Sequence, residues 1–456
     1  MKAIKISFSI IFIILTLVWF MADTLLPDPL TYFSFRHVFV QFSGVIAMGA
    51  MCIAMVLAVR PRWLENHLDG LDKMYRLHKW LGITALIAST AHWWFGKGTK
   101  WMVGWGWLER PQRAPRGEEQ LGMIEELFRN QRGLAETIGE WTFYAAAILL
   151  IIALVKMVPY RFFAKTHKIM AAAFLLLAWH SLVLLEYPYW AQPVGWLMAA
   201  LLLAGSVAAL MVLFGMVGRQ RKVRGTVECF HWYPELQVME TAIKLDAEDQ
   251  SGGNRTGMRG WQGHKPGQFA FVTSSKKEGA HPYTIASAWH DDSEHITFIT
   301  KALGDHTSRL PEILHEGMEV QVEGPYGCFT FDDNCRQQIW VGAGIGITPF
   351  IARMKHLAKE SDGRTIHLFH PTGQYEQAAI DKLTADAQAA GITLHVLASK
   401  DGRRLSADII RAEVPDWEES SIWFCGPAAF GTTLRDDIIN KGLPAQHFHQ
   451  ELFEMR

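Results

Sequence analysis

The spacing of apolar and polar residues changes character near residue 217. Before that point six apolar runs alternate with short polar stretches, at about 4–22, 37–59, 78–96, 138–158, 166–186 and 192–215. Each approaches the ~20 apolar residues that a membrane helix needs. The first has Lys2 and Lys5 ahead of its apolar core, as a secretory leader does. It lacks a small-x-small cleavage site before Asp23, and five more runs follow, so it reads as a retained helix. After residue 217 the apolar residues fall into short alternating runs. "RGTVECFHWYPELQVMETAIKL" predicts antiparallel strands, and residues 249–264 read as a polar, Gly-rich loop. Strand-like "PGQFAFVTS", "HPYTIAS" (281–287), "ITFITKALGDHTSRL" (296–310) and "VEGPYGCF" (322–329) follow. From about 336, "QIWVGAGIGITPFIARMKHLA" predicts a strand, a glycine-rich turn and a helix. Further strands are expected in "TIHLFHP", "ITLHVLAS" and "SIWFCGP".

The expected fold is therefore multi-domain. Residues 1–217 form an α-helical membrane bundle of six helices, 218–332 an antiparallel β-barrel, and 333–456 an α/β nucleotide-binding domain. Charge orients the bundle. Lys2 and Lys5, then Arg60, Arg62, Lys73 and Arg76, then Lys156, Arg161 and Lys165, then Arg219, Arg221, Lys222 and Arg224 all fall on one side. The positive-inside rule makes that side cytoplasmic, with both termini inside the cell (inner) membrane and lipid around the helices. Trp101, Trp105 and Trp107 open the longer outer loop, 97–137, and suit an interfacial belt. A formal net charge of −1 gives no footprint for nucleic acid. The five cysteines, at 52, 229, 328, 335 and 425, form no CxxC, so no iron–sulfur cluster, zinc site or disulfide framework is expected.

Four histidines interrupt the apolar runs in pairs: His78 with His92, 14 apart, and His167 with His180, 13 apart. Each pair spans roughly 20 Å of helix axis at ~1.5 Å per residue. Ionisable side chains at membrane depth are costly and call for a function. Both helices run outward in this topology, so His78 and His167 share the inner depth, and His92 and His180 the outer. Two imidazoles can fill both axial positions of a haem iron, which suits electron transfer. Two stacked b-type haems are the expected occupants. Fourteen steps of ~100° put His78 and His92 on one face, with small Gly82, Ala85 and Ser89 between them. Thirteen steps leave His180 about 140° from His167 in an ideal helix, so either that helix is distorted or the haems are mutually rotated. Phe174 lies between the two depths, as a bridge or as packing.

The soluble strand order matches a flavin-binding barrel followed by a dinucleotide-binding domain. Gly342, Gly344 and Gly346, with Thr348 and Pro349, would let phosphates approach a helix N-terminus, although the spacing is GxGxG and not GxGxxG. Taken with the histidine pairs, the chain resembles the ferric reductase and NADPH oxidase superfamily over essentially its whole length. "LHK…AH" and "THK…WH" match that family's haem histidines, spacings included; "HPYTIAS" is similar to its His-Pro-Phe-Thr flavin motif, with Tyr283 for Phe; "GAGIGITP" and "CGP" are similar to its dinucleotide and nicotinamide motifs.

The resemblance implies roles. His78, His92, His167 and His180 would ligate haem iron. Tyr283 and Thr284 would lie against the flavin of FAD, with His281, Pro282 and Ser287 supporting ring and phosphates. Lys301, Gly304 and Thr307 would sit near the pyrophosphate. Cys425, Gly426 and Pro427 would border the hydride path, and Phe453 is the candidate flavin cover, although three residues follow it. Ser399, Lys400, Arg403 and Arg404 favour NADPH over NADH as donor, and no acidic residue closes "TIHLFHP". The implied activity is an NAD(P)H-dependent flavocytochrome b that passes electrons to an acceptor outside the membrane. Ferric chelates are favoured, because the loop "EYPYWAQP" is too short for a dome over the outer end. Reduction of O2 to superoxide, or service as a cytochrome subunit for an unknown partner protein, are the alternatives.

Overall fold

The computed structural model describes residues 2–109, 122–155, 157–158, 160–246, 261–275, 278–290, 293–398, 402 and 404–451. The chain forms two compact units, residues 1–68 with 73–217, and residues 69–72 with 218–455.

The first unit contains six long helices: α1 (Lys2–Phe20), α2 (Tyr32–Ala58), α3 (Leu71–Trp93), α4 (Met123–Leu154), α5 (Tyr160–Leu184) and α6 (Pro193–Leu213). Among the described residues five of them, all but α3, are long and apolar enough to cross a membrane. Helix α3 falls short because Asp72, Lys73, Arg76 and Lys79 fill its first turns. Large apolar side chains such as Ile13, Trp141, Ile148 and Leu203 are exposed, which suits a lipid-facing surface. Trp19, Met48, Cys52, Phe174 and Tyr189 belong to the interior cluster. Phe174 packs there, and a Cβ on Gly205 would run into its ring.

Two expectations need correction. Helix α4 begins at Met123, so residues 123–137 are helix and not loop. Hydropathy misses them because "MIEELFRNQRGLAET" is polar, yet it is rich in good helix formers and carries an Arg132–Glu136 pair one turn apart. The segment after α3 is also ordered, with a π turn at Trp94–Gly98 and a short helix at Thr99–Gly104. Arg36 caps that π turn, donating to the Phe95 carbonyl (2.8 Å) and the Gly96 carbonyl (3.1 Å).

The second unit contains two sheets. Strands β1 (Lys222–Tyr233), β2 (Val238–Leu245), β3 (Phe269–Ser275), β4 (Gly279–Thr284), β5 (His295–Lys301) and β6 (Glu319–Tyr326) form an antiparallel sheet in the order β4-β3-β6-β1-β2-β5. The alternation that predicted β1 and β2 buries Val223, Val227, Met239 and Ile243 on one face. Strands β7 (Gln337–Gly342), β8 (Thr365–Thr372), β9 (Thr393–Ala398), β10 (Ser421–Cys425) and β11 (Phe448–Gln450) form a parallel sheet in the order β11-β10-β7-β8-β9. Its helices are α7 (Thr348–Leu357), α8 (Gln377–Ala389), α9 (Ala407–Glu413) and α10 (Ala428–Asn440). The chain reverses direction across the sheet between β7 and β10, the switch point where doubly wound sheets bind ligands beyond their strand ends.

Candidate functional site

The four histidines form two pairs. The ring centroids of His78 and His167 are 5.9 Å apart, and those of His92 and His180 are 6.3 Å apart. Two imidazole nitrogens on one metal at roughly 2.0–2.1 Å each set their centroids roughly 6 Å apart. The ring planes cross at 72° and 78°. Three of the rings rest on backbone carbonyls through Nδ1. His78 donates to Ala54 (2.9 Å), His92 to Val40 (2.9 Å), and His180 to Ala135 (2.7 Å). A carbonyl can only accept, so Nδ1 carries the proton and the Nε2 lone pair is left for a metal. His167 Nδ1 is buried with no partner among the described residues; Phe163 stacks on that ring at 5.1 Å.

Two glycines border these contacts, and one of them is required. A Cβ on Gly44 would touch the His92 ring at 3.4 Å, and one on Gly139 would overlap the His180 ring. Each glycine lies four residues after the carbonyl that holds its histidine, and at Gly139 the ring settles where a side chain would stand. Sequence reasoning missed both glycines and all three carbonyls. The donor set and spacing fit two bis-histidine haem irons.

In the second unit the sequence-predicted flavin residues line β4 and the start of the next segment. Tyr283 and Thr284 are registered opposite Ala270 and Phe269 of β3. The Tyr283 hydroxyl and Thr284 Oγ1 are buried without a partner among the described residues, and burial pushes the Tyr283 phenol up from its ordinary value. Orphaned buried hydroxyls are costly, so these atoms fit a polar cofactor edge. His281 stacks on His306 at 3.9 Å. Burial first, and the neighbouring His306 second, lower His281 to about 4. Other predicted residues are already engaged. Ser287 Oγ accepts from the Thr297 amide (3.1 Å), Thr307 Oγ1 accepts from the amides of Leu303 (3.0 Å) and Gly304 (3.1 Å), and Lys301 donates to Gln374 (2.5 Å).

The two nucleotide motifs meet at the switch point. Cys425 is registered beside Gly342, and the Ala343 amide donates to the Cys425 carbonyl at 2.9 Å. A Cβ on Gly346 would collide with that same carbonyl, whereas Gly344, at φ +55°, faces open space. Thr348 Oγ1 donates to the Ile345 carbonyl at 2.8 Å, and Pro349 takes the first turn of α7. Cys425 is fully buried, and burial raises its thiol well above the ordinary value. Lys301, Gly344, Ile345, His370, Thr372 and Gln374 line a cavity of about 110 Å³ between the two sheets. His370 was not singled out from sequence; its Nδ1 donates to the Gly342 carbonyl at 2.7 Å. Gly426 and Pro427 lead from β10 into α10. Ser399, Lys400, Arg403 and Phe453 lie outside the described residues.

The family model described as ferric reductase like transmembrane component matches residues 43–178, and the one described as FAD-binding domain matches residues 257–330. The first match takes in His78, His92 and His167. Ferric reduction oxidase 5 of Arabidopsis thaliana is 34% identical over 104 residues, which are 22% of this chain and 15% of that protein.

These two matches and this relative support the ferric reductase and NADPH oxidase superfamily.

One further relative matches less than half of the chain. The ferredoxin reductase component of 3-ketosteroid-9-alpha-monooxygenase from Rhodococcus rhodochrous is 27% identical over 197 residues, covering 42% of this chain and 56% of that protein. The chain thus spans about half the length of this curated relative. The flavohemoglobin structure from Malassezia yamatoensis superposes with a TM-score of 0.45 at 14% identity, covering 92% of this chain and 97% of that one. A score that low bears no weight on function. Together the matches support an oxidoreductase with a ferric-reductase-like membrane part and an FAD-binding part.

Proposed function

We propose that this protein carries electrons from cytoplasmic NAD(P)H, through FAD and two b-type haems, to an acceptor on the far side of the cell membrane. The observation that carries the reading is the pair of histidine couples, 5.9 and 6.3 Å between ring centroids. His78 and His167 would hold the inner haem, and His92 and His180 the outer. Bound there, FAD accepts a hydride from the nicotinamide and the irons pass single electrons; that chemistry is the cofactors' own.

The chain supplies position. The Ala54, Val40 and Ala135 carbonyls fix three imidazole tautomers, leaving each Nε2 lone pair available to a haem iron. Tyr283 and Thr284 offer buried hydroxyls to the flavin, and His281 and Pro282 continue that edge. Lys301, Gly304, Thr307 and Ser287 surround the flavin phosphates. Gly342, Gly344, Gly346, Thr348 and Pro349 receive the dinucleotide phosphates at the start of α7, while Cys425, Gly426 and Pro427 bound the nicotinamide end. Ser399 and Arg403 are assigned to the 2′-phosphate of NADPH and Phe453 to the flavin face. Six spanning helices, with α3 as the sixth, a sheet closed as a barrel, and domains at 1–217, 218–332 and 333–456 complete the proposal. Both termini are cytoplasmic in it.

Ferric chelates are the proposed acceptor. The connection between α5 and α6 is short, a single 3-10 turn at Tyr187–Ala191. With both histidines of a pair as ligands, no iron position would be left for an acceptor, and transfer would be outer-sphere. The test is anaerobic ferric-chelate reduction by purified protein with NADPH and FAD, set beside superoxide-dismutase-sensitive cytochrome c reduction in air. Chelate reduction without a dismutase-sensitive signal is expected. The reverse result makes the protein an oxidase. Haem that NADPH plus FAD cannot reduce makes it a cytochrome subunit for another protein.

A further inference from the structure

We propose that His290, His356 and Glu360 form a binding site for one divalent transition-metal ion, zinc in the first instance. The site is separate from the haem histidines and from the flavin and nucleotide motifs, and it does not rest on the function proposed above. Their ligand atoms all lie within 4.8 Å of one another. His290 Nδ1 is 3.5 Å from one Glu360 carboxylate oxygen, and His356 Nε2 is 3.9 Å from the other. A charge-assisted hydrogen bond closes to ~2.7–2.9 Å, so neither contact is one. Two nitrogens and a carboxylate instead face a common point at a spacing a small cation would tighten. Around a tetrahedral metal, ligand atoms at ~2.0–2.1 Å from the ion stand roughly 3.3 Å apart.

The histidines are held and the carboxylate is free to close. His356 and Glu360 are one helical turn apart, the Glu360 amide donating to the His356 carbonyl at 2.9 Å. The His290 backbone is held by reciprocal bonds with Ser293, its amide to Ser293 Oγ (3.0 Å) and the Ser293 amide to its carbonyl (2.9 Å). The two side chains are 15% and 23% exposed, against 66% for Glu360. The rings lie 5.8 Å apart and within 9° of parallel. Their other nitrogens, His290 Nε2 and His356 Nδ1, are buried with no partner among the described residues, so the Glu360 side is where each ring can meet a ligand. Two histidines and one carboxylate with an open position suit zinc or ferrous iron. Occupancy would tie the loop after β4 to the helix that begins at the dinucleotide glycines.

The test uses the full chain, purified in detergent, stripped with a chelator and dialysed against zinc, with zinc and iron counted by mass spectrometry. One zinc equivalent per chain is expected in the wild type and in the exposed-site control His315→Ala, and none in His290→Ala or His356→Ala. Zinc should also raise the heat-unfolding midpoint of the wild type and of His315→Ala, and of neither His290→Ala nor His356→Ala. Should an alanine variant misfold, Glu360→Gln changes an exposed side chain and is expected to weaken zinc binding about tenfold or more. Wild-type protein that retains no stoichiometric zinc, or variants that retain as much as the wild type, would overturn the site.

Discussion

A buried imidazole needs a partner for each nitrogen, and that requirement organises the membrane half. In three of the four haem-ligand candidates one nitrogen is spent on a carbonyl and the other is left for a metal. His92→Leu should therefore halve the haem bound per chain, read by pyridine haemochrome, while the remaining haem still reduces. Gly139→Val should displace the His180 ring from the Ala135 carbonyl and weaken haem retention by roughly 10–100-fold. Gly133→Ala, on the same helix with nothing near its Cβ, should leave haem unchanged. The histidines were legible because ionisable residues are rare in apolar runs. Gly44 and Gly139 were not, because a glycine in an apolar helix has many uses and a carbonyl has no letter of its own.

His264 makes a second prediction at this scale. Its Nε2 donates to the Ser287 carbonyl (2.9 Å) while its Nδ1 accepts from Trp261 (3.4 Å), so only the neutral ring satisfies both. Burial lowers it from an ordinary 6.5 to about 4. Between those values the unfolded chain binds the proton and the folded chain does not. Stability is thus full above the unfolded value and is lost as pH falls toward the folded one. The heat-unfolding midpoint should drop from about pH 7 to about pH 5, and drop less in His264→Gln. An equal drop in both would remove His264 from the explanation.

Among the elements, those defined by strong periodicity were legible and those with mixed patterns were not. Strands β1 to β6 and the β7–turn–α7 unit follow the expected order. The first turns of α4 were hidden by polar residues, although Ala135, the His180 acceptor, lies among them. Helix α3 carries two candidate ligands yet is the long helix least suited to lipid by composition, because its first turns are charged. At the opposite end of β7 and β10 from the motifs, Asp333 is a structural anchor. Its carboxylate accepts from Ser421 Oγ (2.5 Å), Trp423 Nε1 (2.9 Å) and Gln338 Nε2 (3.0 Å). Removing it takes the shared acceptor from three donors, of which Gln338 keeps the Phe331 carbonyl and Trp423 keeps Ser421 Oγ, so Asp333→Ala should cost about 1–3 kcal/mol. Accelerated proteolysis of the nucleotide-binding part with unchanged haem content is the expected result; equal protease resistance would show that the donors find other partners.

For the whole molecule, the proposal joins a hydride donor site, a one-electron relay and an outside acceptor in one chain. The histidine pairs and the flavin and dinucleotide motifs were readable because each imposes residue types at fixed spacings. The acceptor was not, since outer-sphere transfer requires no ligand motif. The central claim is that each iron has two axial histidines, and the ring planes, crossed at 72° and 78°, give it a spectroscopic signature. Crossed axial rings leave two iron d orbitals nearly degenerate, so orbital momentum is not quenched and the largest g value is raised. Electron paramagnetic resonance of the oxidised, detergent-purified chain is the most direct measurement. Two low-spin haems per chain with strongly anisotropic signals are predicted; high-spin haem, or a chain without haem, would contradict the account.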